Sequence, residues 1–333
     1  MRALIEDSLT VPPKWRPHAG VMPLDLARLH ELLERTSRTF ALCIPRLPEP
    51  TRLEVTVAYL LFRIADTFED ATRWSGAEQR EALAAFKVLL SDPSSDQAAG
   101  LADVWTRHPP VESEAYEELL RETPGVVATL ETLRPAARAT ICHHVTRTAD
   151  GMADFVNPSG DVTPTEIVDL DGLRAYCYIV AGIVGEMLTD LFLLNGDQLA
   201  PAAQSLRDRA AAFGEGLQLT NILKDAGDDE QEGRRFLPRG LERSRIFDIA
   251  RDDLNIAREY TGILQDAGAE PGLLAFNALP IAMAAATLDR VERAGPGAKI
   301  TRLQVAAIIG KIDGSIRLGK RIFPHASVPE AVE

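Results

Sequence analysis

The segment RIADTFED, residues 63–70, decides how the chain is organised. Asp66, Glu69 and Asp70 stand at i, i+3 and i+4, so on a helix all three carboxylates leave from one face. The preceding residues 57–62, VAYLLF, read as apolar helix running into that face. A second run, QLTNILKDAGDD at 218–229, repeats the pattern with Asn221, Asp225 and Asp229 at i, i+4 and i+8 and Gln218 one turn earlier. Like charges stacked on an apolar helix repel one another and cost stability, so a cation is expected to offset them. Hard oxygen donors suit magnesium, which stays partly hydrated and shares substrate phosphates. A solvated acidic face is the ordinary reading of one such run; two runs embedded in apolar helix favour the metal reading.

Outward from these runs, the remaining 333-residue chain fits a helical protein. Its apolar share is 46% and its charged share 26%, ordinary for a globular domain with ample core. Ala, Leu, Arg and Glu abound, which favours helix. A net charge of −13 gives no basic face for nucleic acid, and none is expected as a partner. Cys43, Cys142 and Cys177 are odd in number and far apart, so neither a disulfide framework nor a zinc site is indicated. The N-terminus has no apolar h-region, so no signal peptide is expected. The apolar stretch 178–194 is interrupted by Glu186 and Asp190 and reads as a buried helix rather than a span.

Hydrophobic periodicity predicts a helix from about Pro23 to Thr36, a proline-marked break at Pro45 and Pro48, and a helix from Pro50 through the first acidic run. A further helix is expected over 77–90, then a polar loop from Ser91 to Gly100, then two or three helices to 156. TPTE at 163–166 reads as a helix start, and that helix is expected to end near Asn195-Gly196. Pro201 opens the helix of the second run, and helices are expected over 247–267, 270–294 and 301–320. No alternating β pattern is present. The expectation is an all-α, single-domain helical bundle with a central cavity: an arm at 1–22, the bundle at 23–322 and a polar tail at 323–333. His143 and His144 do not share a helix face and read as surface or capping residues.

In order along the chain, these segments resemble the squalene/phytoene synthase family of head-to-head prenyltransferases. Residues 36–40, TSRTF, resemble its flap motif, and 59–70 its first aspartate-rich motif. YCYIVAGIVG at 176–185 is similar to its central motif; 217–225 with Asp229 resembles the second aspartate motif, followed by GRRFLP at 233–238. LAFNALPIAMAAATL at 274–288 resembles the squalene synthase branch more than the phytoene synthase branch. GAKITRLQV at 297–305 resembles a segment associated there with NADPH, but Lys299-Ile300-Thr301 stands where the family shows Lys-Ile-Arg, and Arg302 comes one place later. Lys224 likewise stands where Arg is usual, and Lys lacks the planar fork of Arg.

The resemblance implies that Asp66, Glu69, Asp70, Asn221, Asp225 and Asp229 hold magnesium. It assigns Ser37, Arg38, Arg63, Gln218, Lys224 and Arg234 to substrate diphosphate, and Arg38, Arg63, Lys224, Lys299 and Arg302 to NADPH. Arg63 has a plain alternative, an i, i+3 salt bridge to Asp66, and for Arg234 the alternative is exposed surface charge. Tyr59 and Tyr176 are implied in proton removal or cation stabilisation. A phenol near its ordinary pKa of ~10 is a poor base, so a relay or cation–π role fits better. For Tyr176 the alternative is a core tyrosine bonded to a backbone carbonyl. Phe276 is implied in stabilising a second cation, with plain packing as its alternative. Gly182 and Gly185 would allow close helix approach or a kink.

The implied activity joins two farnesyl diphosphates through presqualene diphosphate and reduces the product to squalene, on a sterol or hopanoid route. A dehydrosqualene or hydroxysqualene synthase would keep every acidic residue and omit NADPH. A phytoene synthase would take a longer prenyl diphosphate, against the 274–288 segment. A scaffolding protein on the same fold would be expected to lose acidic residues, and both sets are complete. The short polar end, 323–333, predicts no membrane-anchoring tail and a cytoplasmic protein loosely associated at most with a membrane surface; oligomeric state is left open.

Overall fold

The computed structural model describes residues 20–37, 39–156, 166–231 and 233–324. Arg38, most of the expected arm, residues 163–165 of the expected helix start and the tail from 325 fall outside the described residues. Within them the α-helices are α1 (Leu26–Thr36), α2 (Phe40–Cys43), α3 (Thr51–Glu69), α4 (Gly76–Ser91), α5 (Ser95–Arg107), α6 (Glu114–Arg121) and α7 (Thr123–Thr132). They continue as α8 (Pro135–Phe155), α9 (Leu170–Cys177), α10 (Ile183–Asn195), α11 (Ala203–Gln231), α12 (Arg243–Asp266), α13 (Pro271–Ala294) and α14 (Arg302–Arg317). A π-helical turn, Tyr178–Gly182, joins α9 to α10. An isolated bridge between Glu166 and Arg235 is the one β-type pairing among the described residues. The all-α expectation holds.

Local chemistry sets the boundaries. The Asp25 side chain accepts from Arg28 N at 2.8 Å and opens α1. Ser75 and Glu78 form a capping box at α4, as Thr301 and Gln304 do at α14. Two expectations shift. Within the expected loop 91–100, Ser94 accepts from the Gln97 amide and starts α5, because a polar run can cap a helix as well as form a loop. The helix expected from 163 begins at Leu170, where Asp169 accepts from Gly172 N at 2.8 Å, while Glu166 pairs with Arg235 instead.

One buried cluster runs from Leu29 to Ile322, and α3 passes through it. Leu60, Leu61, Ile64, Ala65 and Phe68 are fully buried, and the Phe68 ring lies 4.6 Å from that of Trp105 and 5.9 Å from that of Trp74. Burying such a side chain contributes about 2–3 kcal/mol, so the acidic run sits on a firmly packed helix. α11 touches the π turn and α10 backbone to backbone. A Cβ on Gly185 would lie 2.0 Å from the carbonyl oxygen of Ala210, and one on Gly214 1.9 Å from that of Ala181. Gly185 was legible as a close-approach residue; Gly214 is its counterpart across the crossing.

By length and composition, Leu170–Asn195 and Pro271–Ala294 could each cross a membrane, but half of the first window and 67% of the second are buried within the fold. The charges that interrupt the first are compensated. Arg147 on α8 donates to Glu186 at 2.6 Å and to the Tyr178 hydroxyl at 2.6 Å. His144 Nε2 lies 3.1 Å from Asp190, and Arg207 donates to the other Asp190 oxygen at 3.2 Å. The His144 contact holds the Asp190 carboxyl below its ordinary range against the effect of burial. His144 is therefore buried and partnered rather than a surface residue, a correction to the reading of the His143-His144 pair. Thr148 Oγ1 donates to the Ile179 carbonyl at 3.0 Å, satisfying one acceptor of the π turn.

Candidate active site

Helices α2, α3, α10, α11, α13 and the start of α14 enclose a cavity of about 600 Å³. Its walls are largely apolar, with Phe62, Val184, Leu188, Phe213, Phe276 and Met283 among them. The polar side chains at its rim are those picked out in the sequence: Ser37, Arg63 and Asp66 on one side, Gln218, Asn221 and Lys224 on the other. One expected ligand of each acidic run, Asp66 and Asn221, thus lines the same space, while Glu69, Asp70, Asp225 and Asp229 lie outside the lining. Lys299 joins the lining because Gly297 N donates to the Lys224 carbonyl at 2.7 Å and seats the 295–300 loop against α11. Pro280 and Phe276 also line it; Pro280 has no N–H to give, so the Phe276 carbonyl lacks its helical donor. The Phe276 ring itself packs edge-on against Phe192 at 5.9 Å.

Arg63 makes the expected i, i+3 salt bridge and also lines the cavity. Its guanidinium donates to Asp66 at 2.8 Å and to the Tyr116 hydroxyl, lies 5.1 Å over the Tyr116 ring, and still lines the cavity. Its Nε is buried with no hydrogen-bond partner, a donor available for an anion. Arg234 is no surface charge: it donates to Asp70 and, at 3.3 Å, to Asp229, tying the ends of the two acidic runs together. Lys224 reaches back to Asn221 at 3.2 Å and pairs with Asp225 at 3.1 Å. Ser37 Oγ accepts from Phe40 N at 2.9 Å and caps α2 at the rim. Tyr59 lines the cavity and donates to the Thr36 carbonyl at 3.1 Å; burial raises its pKa and keeps the phenol protonated.

Other expected residues stand one step back. Tyr176 is buried outside the lining, stacked at 4.9 Å on Phe236 and edge-on to Phe155, and it donates to Glu69 at 3.3 Å. Its partner is a carboxylate of the acidic run, not a backbone carbonyl. Arg302 is exposed at the first position of α14 and does not line the cavity. Tyr116 and Phe236 were not picked out; each lies more than fifty residues from the side chain it supports, and no local spacing points to it.

The carboxylates are short of positive charge. Burial, opposed by Arg63 and aided by Asp70, pushes Asp66 up to about 6. Burial and then Asp70 and Asp66 drive Glu69 well above its ordinary range. An all-oxygen donor set in that state fits a hard divalent cation in charge and chemistry. The described side chains are not gathered into a ready three-ligand cage, since Arg63 and Arg234 stand among them. For a dinucleotide, the lining offers Arg63, Lys224 and Lys299, enough cationic donors for one pyrophosphate.

The squalene/phytoene synthase model matches residues 33–245, which contain both acidic runs. The chain belongs to the squalene/phytoene synthase family. Among its relatives, a squalene synthase of Botryococcus braunii is 33% identical over 215 residues, covering 64% of this chain and 43% of that protein. One from Candida albicans is 28% identical over 289 residues, covering 80% and 62%, and one from Eremothecium gossypii 32% over 231 residues, covering 68% and 49%. The chain spans about half the length of these relatives. A solved complex of TcSQS with the ligand BPH1237 superposes with a TM-score of 0.68 at 24% identity, over 92% of this chain and 93% of that one. That likeness fixes the fold.

Proposed function

We propose that the protein joins two molecules of farnesyl diphosphate head to head through presqualene diphosphate and reduces the product to squalene with NADPH. The observation that carries this reading is the cavity of about 600 Å³: largely apolar walls, with Asp66 and Asn221 from the two acidic runs and the basic Arg63, Lys224 and Lys299 in its lining. Such a site suits an amphiphile with an anionic head that brings its own cations. Magnesium, held by Asp66, Glu69, Asp70, Asn221, Asp225 and Asp229, would supply Lewis-acid stabilisation of the leaving diphosphate.

Arg63 and Lys224, with Ser37, Arg38, Gln218 and Arg234, bind and orient the diphosphates. As the allylic C–O bond breaks, its electron pair leaves with the diphosphate and the prenyl carbon becomes cationic. The apolar walls exclude water from that cation, and the Phe276 carbonyl and ring give it electron density. The second prenyl double bond attacks, and the proton released on ring closure goes to expelled diphosphate, a better base than Tyr59. Tyr59 orients the flap through Thr36, and Tyr176 holds Glu69. NADPH would deliver the hydride that quenches the last cation. This activity would run on the cytoplasmic side, in loose contact with a membrane.

One observation favours a second reading. Lys299 lines the cavity but Arg302 faces outward, so the dinucleotide contacts are thinner than the resemblance implies, and a dehydrosqualene synthase would need none of them. Gas chromatography–mass spectrometry of products from farnesyl diphosphate and magnesium, with and without NADPH, separates the two. Squalene formed only with NADPH is the expected result. Dehydrosqualene or an alcohol regardless of NADPH keeps the condensation and removes the reduction; unchanged substrate overturns both.

A further inference from the structure

Helix α14 has two unlike faces. Val305, Ile308, Ile309, Ile312 and Ile316 turn inward against the core, with Val305 also lining the cavity. Opposite them, Leu303, Ala306, Ala307 and Gly310 are exposed, and Leu318 continues the line past the helix end. Leu303 is 80% exposed and Leu318 67%, among the most exposed large apolar side chains described. An apolar face left open at both ends of one helix marks a surface that something else covers.

The charge around that face identifies the occupant. Of the seven charged residues between 299 and 321, six are basic, in a chain whose net charge is −13. The one acid, Asp313, is engaged by Arg46 at 2.6 Å. Among the described residues no ion pair engages Lys299, Arg302, Lys311, Arg317 or Lys320. Each Lys or Arg held near an anionic bilayer contributes about 1 kcal/mol, and the effect is local, within a Debye length of the lipid. The overall negative charge therefore does not oppose docking through this face. A helix with exposed leucines flanked by unpaired lysines and arginines is the pattern that lies in a membrane interface.

We propose that the outward face of α14, with Leu303 and Leu318 inserted and Lys311, Arg317 and Lys320 at headgroup level, docks this protein on an anionic lipid bilayer. The helix that carries the docked face borders the cavity with its opposite side. Ile300 and Val305 line it from the α14 side, and Leu42, 44% exposed, lines it from α2. The bilayer would lie against the wall through which an oil-like product could leave. Docking stands on this face alone; the proposed chemistry supplies a reason for it but not the evidence.

The test is co-sedimentation of the full chain with vesicles of phosphatidylcholine alone or mixed with phosphatidylglycerol, at low and high salt. Binding to the anionic vesicles, weakened by salt, is expected. Lys311→Gln with Arg317→Gln should lower the partition coefficient roughly 30-fold, and Leu303→Ser with Leu318→Ser about 100-fold or more. Both variants should release diphosphate at the parent rate without vesicles, so a failure of docking is read separately from a failure of the chemistry. No binding to anionic vesicles, or binding unchanged in both variants, overturns the proposal. So does a parent dimer that the leucine variant converts to monomer without any change in vesicle binding, which would make the face a contact between two copies.

Discussion

Between α8 and α10, Glu186 and Asp190 meet Arg147, His144 and Arg207 at hydrogen-bond distances. Across the cavity, Asp66, Glu69, Asp70, Asp225 and Asp229 meet Arg63, Lys224 and Arg234, three bases for five acids. Both sets are carried on apolar helices, and both cost desolvation. In the first set that cost is met within the chain, and Asp190 sits below its ordinary pKa. In the second Asp66 and Glu69 are pushed up. Where bases match the acids, as around Asp190, the carboxyl stays low; where acids outnumber them, as at Asp66 and Glu69, burial pushes the carboxyls up.

Charge neutralisation breaks this comparison most sharply at the cavity. Asp66→Asn or Asp225→Asn should lower magnesium-dependent diphosphate release by about 10²–10³-fold, the scale of one electrostatic contact to a reacting group, while leaving circular dichroism unchanged. A loss below about threefold would mean that these side chains do not meet the reacting diphosphate.

The compensated side should respond in stability. Arg147→Met leaves Glu186 with only the Tyr178 hydroxyl, which donates to it at 3.0 Å, and urea denaturation should show a loss of about 1–2 kcal/mol, discounted from a fully buried pair because both partners are partly exposed. Arg174→Met offers a pH-resolved version. Arg174 pairs with Asp253 and Glu215, whose pKa values burial already raises. Without Arg174 they rise further, so the ionised forms destabilise the variant at neutral pH and protonation relieves it. The variant should lie about 2–3 kcal/mol below the parent at pH 7.5, and the gap should close as pH falls toward the raised carboxylate range. A gap that widens with acid would reverse the sign of the argument.

The smallest effect is the most diagnostic. Glu69→Gln removes one of the uncompensated charges while keeping an acceptor for Tyr176, and in metal-free buffer it should raise stability by roughly 1 kcal/mol. Neutralising a carboxylate of the α8–α10 set, as in Glu186→Gln, should do the opposite.

How much of this was legible in the sequence follows from the range of the interactions. The acidic runs, the all-α class and Gly185 lie in local spacing, and α3 and α11 bring Asp66 and Asn221 into the lining of one cavity. Tyr116, Phe236 and Gly214 act on residues distant along the chain, so only the fold brings them into view. Arg63 shows why alternatives stayed open: one guanidinium can pair with Asp66 while the side chain lines the cavity and its Nε keeps no partner. The pairing of His144 was hidden because Asp190, forty-six residues on, read merely as an interruption of an apolar stretch.

The central claim, that the carboxylates lack charge because cation and diphosphate supply it together, is tested most directly by thermal unfolding with magnesium, with inorganic diphosphate, and with both. A ligand set that binds only the folded state raises the melting temperature by mass action. The account predicts that both together stabilise the protein by clearly more than the sum of each alone, and that Asp225→Asn abolishes the excess. Additive shifts, or a shift that survives Asp225→Asn, would contradict it.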